Sequence, residues 1–222
     1  MNSRIPVIQQ SAKWIVVNKP VGISVHNETS DLRAVLKKQL RPGSFDDVYP
    51  VHRLDKETSG VLMVALEAET ASELAEKFQK KETAKSYYAI LRGSLPASEK
   101  WQTWDFPISD KAEGRKNPQG LLKDRVAAKT KYRVVQSNKY FSLVEVDLLT
   151  GRQHQIRKHA ALAGNPIVGD PRYNDGKYNE KMAEIYGDER MYLHAFKLSI
   201  QVSGKVQTFD TPMPQSFKAL LK

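Results

Sequence analysis

The chain has 222 residues, 40% of them hydrophobic, which is enough for one sizeable core. No stretch approaches the roughly 20 apolar residues that cross a bilayer, and the absence of cysteine excludes disulfides, thiolate catalysis and cysteine-bound zinc. Lysine and arginine total 35 against 25 acidic residues, and a net charge of +10 attracts polyanions such as nucleic acid, although it also serves solubility alone.

The predicted elements begin with a short β-type run at 14–17, which Asn18–Gly22 ends. A helix with apolar positions from 32 to 40 follows, capped by Ser30 or Asp31, and then a buried strand at 61–66 and a helix at 70–80. Further strands are predicted at 86–91, 130–135, 141–149, 192–202 and 206–209, with helices at 153–163 and 215–221. Strands outnumber helices and are often consecutive, so we expect an α+β fold with a central, mostly antiparallel or mixed sheet flanked by helices.

The sharpest local feature is the run from His52 to Gly60. It places a carboxylate, Asp55, between Arg53 and Lys56, just before a turn and a buried strand. Loops at strand ends are where scaffolds hold reactive groups. An isolated Asp in such a turn more often forms an Asx-turn or a surface ion pair, so the surrounding motifs must decide its role.

A second feature is the run from Gly151 to His159, at a junction between a strand and a helix. Such a junction directs backbone N–H groups outward and suits anions. His154 and His159 are five positions apart and have no acidic or cysteine partner nearby in sequence, so a metal site is not expected.

Two further segments have both a structural and a functional interpretation. Lys85–Ala89 opens a strand, and only one of Tyr87 and Tyr88 can face a given site. Residues 110–133 contain eight basic residues against three acids, which fits a solvated loop or an arm that follows phosphates, with Lys116 and Lys123 as candidate contacts.

Taken together, these motifs resemble the RluA-type family of pseudouridine synthases. The matching segments lie in order along the chain from Asn18 to about Ala195. They are Asn18–Gly22, His52–Gly60, Lys85 with Tyr87 and Ala89, Ala128 with Thr130 and Tyr132, Gly151–His159, Gly169–Tyr173 and Leu193–Ala195. Each motif is weak evidence alone, but the ordered set is highly specific.

The resemblance implies an enzyme that isomerises uridine in structured RNA, either tRNA or rRNA, without a cofactor or a metal and in a cleft across the sheet. It implies that Asp55 is the nucleophile, that Arg157 pairs with Asp55, and that Tyr87 lies over the uracil as the C5 base. It also implies that Ile156 packs on the base and that Arg53 fills the gap left when the uridine flips out. Thr58, Arg152 and His154 are further expected substrate contacts.

The organisation expected from the sequence is a single catalytic domain over residues 1–222, acting as a monomer. Many relatives carry an N-terminal RNA-binding domain of the S4 type, whereas here the first motif already begins at Asn18, so RNA affinity is expected to come from the catalytic domain. Residues 1–6 lack the apolar core of a signal peptide, and a cytoplasmic location is expected.

Several alternatives stay open at this point. Asp55 could attack C1′ or assist a glycal intermediate by removing a sugar proton. Two rival functions are a non-catalytic RNA-binding protein on the same fold and a nucleosidase that uses Asp55 with a second carboxylate. The presence of both Asp55 and Arg157 disfavours the first rival, and the basic charge with no evident acid partner disfavours the second.

Overall fold

The computed structural model describes residues 4–26, 28–41, 43 and 45–222. In chain order the elements are β1 (Val7–Gln10), β2 (Trp14–Lys19), α1 (Leu32–Gln39), β3 (Tyr49–Pro50), β4 (Ser59–Ala65), α2 (Ala68–Gln79), β5 (Thr83–Arg92), β6 (Gln102–Trp104), β7 (Ile108–Ser109), β8 (Arg125–Val126), β9 (Thr130–Ser137), β10 (Phe141–Leu148), α3 (Gln155–Leu162), α4 (Gly176–Tyr186), β11 (Leu193–Val202), β12 (Lys205–Asp210) and α5 (Gln215–Leu220). A 3₁₀ turn, Leu122–Asp124, precedes β8.

These elements form two compact units. The first contains the described residues up to Lys85 together with Ala195–Pro212, and the second contains Ser86–His194 and Met213–Lys222. The α+β class with a mostly antiparallel sheet, expected from the sequence, is confirmed.

The first unit is built on antiparallel pairs between β1 and β2, β2 and β4, β3 and β4, and β11 and β12. All seven residues of β4 are buried, as the continuous apolar run at 61–66 predicted. Helix α2 packs Leu74 and Phe78 against the core that β2, β4, β11 and β12 share. Asp31 is the N-cap of α1, and its side chain accepts a hydrogen bond from the Ala34 N–H at 3.0 Å.

The second unit is an antiparallel sheet in the order β5, β10, β9, β6, with β7 and β8 forming a separate small pair. Helices α4 and α5 pack on a core that includes Ile90, Phe141 and Phe217. Within the described ranges, no helix is long and apolar enough to cross a membrane.

Helix α4 and the short strands β1, β3, β6, β7 and β8 were not predicted from the sequence. The helix predicted at 153–163 begins two residues later, at Gln155. The delay has a local cause, because His154 has a φ of 55°, a left-handed conformation that no residue inside a right-handed helix adopts.

Candidate active site

Asp55 lies in the turn that leads into β4, in the first unit, and its side chain is half-buried. The Asp55 carbonyl accepts a hydrogen bond from the Thr58 N–H at 3.0 Å, which closes the turn. Thr58 itself is buried, with 2% of its surface exposed, whereas Arg53 is exposed. The turn therefore has defined backbone geometry, and Arg53, two residues before Asp55, is exposed to solvent.

The first motif in chain order, Asn18–Gly22, supports the Asp55 turn through hydrogen bonds. The Lys56 carbonyl, next to Asp55, accepts hydrogen bonds from the Gly22 N–H at 2.9 Å and from the Lys19 ammonium at 3.2 Å. Lys19 is completely buried and also donates to the carbonyls of Pro20 at 3.0 Å and Ile23 at 2.9 Å. Lys19 thus links its own loop to the Asp55 turn, a supporting role that sequence reasoning did not assign.

His52 anchors the other end of the same motif to β4. Its Nε2 accepts the Met63 N–H at 3.0 Å, and the Phe78 ring lies 4.4 Å away, centroid to centroid. Burial, helped by the nearby Lys85 ammonium, holds the pKa of His52 well below its usual 6.5. His52 is therefore neutral at physiological pH and acts as a structural acceptor.

Gly60, which closes the motif, is required by its surroundings. Its φ is +122°, and a Cβ there would overlap the Ala195 carbonyl on β11. The start of β4 can therefore approach β11 this closely only without a side chain at position 60.

In the second unit, β5 presents its two tyrosines to opposite faces of the sheet, as predicted. Tyr87 is opposite Val146 on β10 and is 5% exposed, whereas Tyr88 is opposite Glu145. Tyr88 packs against the Ile90 and Phe141 core. Burial, together with Glu145, raises the pKa of Tyr88. The two side chains therefore have separate environments and can be tested separately.

Arg157, on α3, is bound by a carboxylate that the sequence did not single out. Its Nε and Nη2 donate to Asp170 Oδ2 and Oδ1 at 2.7 and 2.8 Å, a bidentate pair with Arg157 2% exposed and Asp170 fully buried. Asp170 belongs to the Gly169–Tyr173 motif, but nothing in the spacing of the motifs indicates that it pairs with Arg157.

Two other polar residues of α3 attach the helix to neighbouring backbone. Gln155 donates through Nε2 to the Lys129 carbonyl at 3.0 Å and to Thr130 Oγ1 at 2.8 Å. His159 lies between Thr130 Oγ1 and the Phe106 carbonyl, both 2.9 Å away, and because that carbonyl can only accept, the proton is on Nε2. Burial lowers the pKa of His159. These residues are structural.

His154 and Ile156 lie on either side of Gln155 in the sequence, His154 as the N-cap of α3. His154 Nδ1 lies 3.0 Å from the Tyr173 hydroxyl, and Ile156 is 4% exposed. Arg152 is half-buried, with Nη1 3.7 Å from an Asp110 carboxylate oxygen. In the described part of the chain, no group of three or more His, Asp or Glu side chains could hold a metal ion.

The basic segment at 110–133 is braced by several of its own cations. Lys111 pairs with Asp124 at 2.9 Å, Arg115 pairs with Asp175, and Arg125 donates twice to the Gly120 carbonyl. The buried Lys158 of α3 donates to the carbonyls of Ser109 at 2.8 Å and Lys111 at 2.7 Å, which fastens the start of the segment.

Lys116 and Lys123 differ from those bracing residues. Both are exposed and have no ion-pair partner among the residues that the structure describes. The segment is therefore a shaped loop that leaves these two ammonium groups to solvent.

Comparison with known proteins assigns the family. A family model described as RNA pseudouridylate synthase matches residues 13–162, about two thirds of the chain. The chain belongs to this family. The RluA-type resemblance seen in the motifs is thereby confirmed, and the protein is an RNA pseudouridine synthase, an isomerase.

Individual relatives cover nearly the whole chain. A protein of Vibrio cholerae named tRNA pseudouridine synthase C is 34% identical over 210 residues, which is 87% of this chain and 84% of the relative. The protein of that name in Pasteurella multocida is 36% identical over 208 residues, covering 87% of this chain and 84% of the relative. The solved structure of Human RNA Pseudouridylate Synthase Domain Containing 1 superposes with a TM-score of 0.78 at 26% identity, covering 96% of this chain and 84% of that one.

Proposed function

We propose that this pseudouridine synthase modifies a uridine of tRNA, with Asp55 as its nucleophile. The observation that carries the choice of tRNA is the 34–36% identity, over most of both chains, to proteins named tRNA pseudouridine synthase C. Ribosomal RNA is the competing substrate. The proposal is tested by mapping pseudouridine in cellular tRNA and rRNA with and without the gene. Loss of tRNA sites alone supports it, and loss confined to rRNA contradicts it.

The reaction proceeds in three stages in this proposal. The N1–C1′ bond breaks with the help of the Asp55 carboxylate, which attacks C1′ or removes a sugar proton. The detached uracil rotates and bonds to C1′ through C5, which releases Asp55 from C1′ or, in the glycal route, is accompanied by return of the proton from Asp55 to the sugar, and N1 ends protonated. The C5 proton then leaves to a base, and we assign that role to Tyr87. The product has the same mass as the substrate, which distinguishes isomerisation from hydrolysis.

The hydrogen bonds that hold the backbone around Asp55 make it suitable for this role. The hydrogen bonds from Lys19 and Gly22 to the Lys56 carbonyl, and from Thr58 to the Asp55 carbonyl, leave the turn little freedom. A catalytic carboxylate held by a preorganised backbone needs no costly rearrangement during the reaction. We further propose that Arg157 pairs with Asp55 during catalysis, because a guanidinium stays charged and binds carboxylate bidentately.

The target uridine must leave its stack to reach Asp55, at a cost of a few kcal/mol. We propose that Arg53, exposed beside the Asp55 turn, occupies the space it vacates, and that Ile156 packs on the flipped base. Contacts to neighbouring phosphates offset the cost, and the net charge of +10 favours them. Thr58 is 2% exposed and closes the Asp55 turn through its backbone N–H.

The phosphate contacts assigned to Lys116 and Lys123 have a specific test. Replacing both by glutamate should weaken RNA binding and reduce the slope of log affinity against log salt, by about 0.7 for each lost contact. The same uridine should still be modified. A matched variant, Lys205→Glu with Lys218→Glu, makes the same change in net charge at exposed positions elsewhere. Equal effects of the two double variants would show that only net charge matters.

A further inference from the structure

The Asp170 carboxylate accepts hydrogen bonds from backbone N–H groups as well as from Arg157. Besides the two bonds from Arg157, its Oδ1 accepts the N–H groups of Arg172 at 2.8 Å and Tyr173 at 3.0 Å. A fully buried carboxylate is stable only with such compensation. The two backbone donors also fix the direction of the carboxylate, so Asp170 does more than neutralise Arg157.

The backbone that carries Asp170 is held in turn by α4. Asn179 donates through Nδ2 to the Asp170 carbonyl at 2.9 Å, and its Oδ1 accepts the Gly169 N–H at 3.1 Å. Asn174 adds a bond to the same Oδ1 at 2.9 Å. Gly169 has a φ of +75°, and a Cβ there would overlap the Arg190 carbonyl. Position 169 is thus restricted to glycine, and a single side chain of α4 bonds to the Gly169 N–H and to the Asp170 carbonyl.

The geometry of the ion pair determines what Arg157 can do. Asp170 binds the edge of the guanidinium formed by Nε and Nη2, and the Tyr173 ring lies 5.4 Å from its carbon atom. The guanidinium plane is therefore fixed, and with it the directions of the N–H groups that Asp170 does not bind. A planar fork fixed along one edge can bind a second carboxylate along the other.

We propose that Asp170 is a positioning residue that orients Arg157 for the reaction, and that Asn179 of α4 holds Asp170 in place. This inference rests on the catalytic role proposed for Arg157. It predicts that loss of Asp170 slows the chemical step while RNA binding is unchanged, because neither Asp170 nor Asn179 contacts RNA in this scheme.

The test is a double-mutant cycle in single-turnover rate at saturating enzyme, with RNA affinity measured separately. Asp170→Asn keeps the shape and removes the charge, and misplacing Arg157 should slow the rate by about 100-fold or more. In an Arg157→Ala background, Asp170→Asn should cause no further loss, because Asp170 acts only through Arg157. Additive losses, or a wild-type rate for Asp170→Asn, would overturn the proposal.

Two further variants keep the test decisive. If Asp170→Asn does not fold, Asn179→Ala leaves the ion pair in place and should give a smaller loss of rate that also disappears in the Arg157→Ala background. Glu145→Gln is the matched control, since it breaks an arginine–carboxylate pair of 2.6 Å with Arg133 in the same unit and should leave the rate unchanged. A wild-type rate for Arg157→Ala alone would instead reject the catalytic role of Arg157.

A second, independent observation concerns the tip of the basic segment. Leu121 and Leu122 are 58% and 79% exposed, in a loop where Gly120 is held by Arg125 and lies against Ser109. Lys123 follows them directly and is exposed. Leu121 and Leu122 therefore form an exposed apolar surface on this turn. It lies next to the ammonium of Lys123, which we proposed as a phosphate contact.

We infer that Leu121 and Leu122 pack against nucleobases or sugars of the RNA substrate. Apolar side chains can wedge against unstacked bases, and such a contact adds affinity without releasing counterions. Leu121→Ser with Leu122→Ser should therefore weaken RNA binding at every salt concentration and leave the salt slope unchanged. Val206→Ser, at a residue 74% exposed on β12, is the control and should bind normally. Unchanged affinity in the double variant, or a changed slope, would refute the inference.

Discussion

Replacing Lys19 by methionine tests how the Asp55 turn is supported. The change keeps most of the side-chain volume and removes a fully buried ammonium that donates to the carbonyls of Pro20, Ile23 and Lys56. Hydrogen bonds from a charged donor contribute about 1.5–3 kcal/mol each. The Lys56 carbonyl keeps the Gly22 N–H as a donor, so the loss falls mainly on the other two carbonyls.

Removing the ammonium also removes the cost of burying it, which opposes the loss. We expect the free energy of unfolding to fall by about 2–4 kcal/mol. For a chain of this size, that corresponds to a melting temperature lower by about 4–16 °C. Thermal and urea unfolding measure the effect, and single-turnover isomerisation below the transition should also be slower, because Lys56 is next to Asp55 in the chain.

Lys13→Met is the matched control for this prediction. Lys13 lies just before β2, with 62% of its side chain exposed, and pairs with Glu67 on the surface at 2.9 Å. Exposed pairs of this kind contribute little, so no measurable change in stability is expected. Equal stability of Lys19→Met and the wild type would refute the view that Lys19 supports the turn.

The remaining predictions concern pH and the catalytic side chains. Burial lowers the pKa of His52 and of His159 in the folded protein. Below about pH 6.5 the unfolded chain therefore binds more protons than the folded chain. Stability should fall as the pH drops below 6.5, by up to about 1.4 kcal/mol per pH unit for each histidine, and His52→Gln with His159→Gln should flatten this dependence in urea titrations. Tyr87→Phe should turn over uridine slowly yet still consume RNA with fluorine at C5 of the target, since only proton removal is lost; Tyr88→Phe should be near normal, and the reverse result would exchange their roles. Arg157→Lys should be severely impaired in single turnover because lysine lacks the planar fork, and a wild-type rate would dismiss the pairing with Asp55.

Much of the fold could be predicted because local patterns and tertiary burial agree. The continuous apolar run that became β4 is buried at every position. Asp31 caps α1 as one of two predicted alternatives. By contrast, α4 was missed because none of its residues is fully buried. The sequence does contain signals for the start and end of this helix, Asp175 as N-cap and Gly187 after the last turn. The apolar positions between them form only a weak helical pattern.

The residues that support the candidate site could not be found from spacing alone. A lysine before a proline gives no sign that its ammonium will be buried among carbonyls, as that of Lys19 is. Arg157 and Asp170 form an ion pair because the chain turns back after α3. The length of that turn sets how far apart the two residues are in the sequence. Such partners depend on tertiary geometry, whereas motif recognition identified the segments in which they lie.

The central claim is that Asp55 carries out catalysis on RNA, and the most direct measurement is pseudouridine formation by Asp55→Asn on purified tRNA, with RNA affinity determined in parallel. Asparagine keeps the shape of the side chain and removes its nucleophilic charge. The account predicts that the variant binds tRNA like the wild type and forms no pseudouridine, even at enzyme excess and long incubation. Near-normal turnover by Asp55→Asn would contradict it.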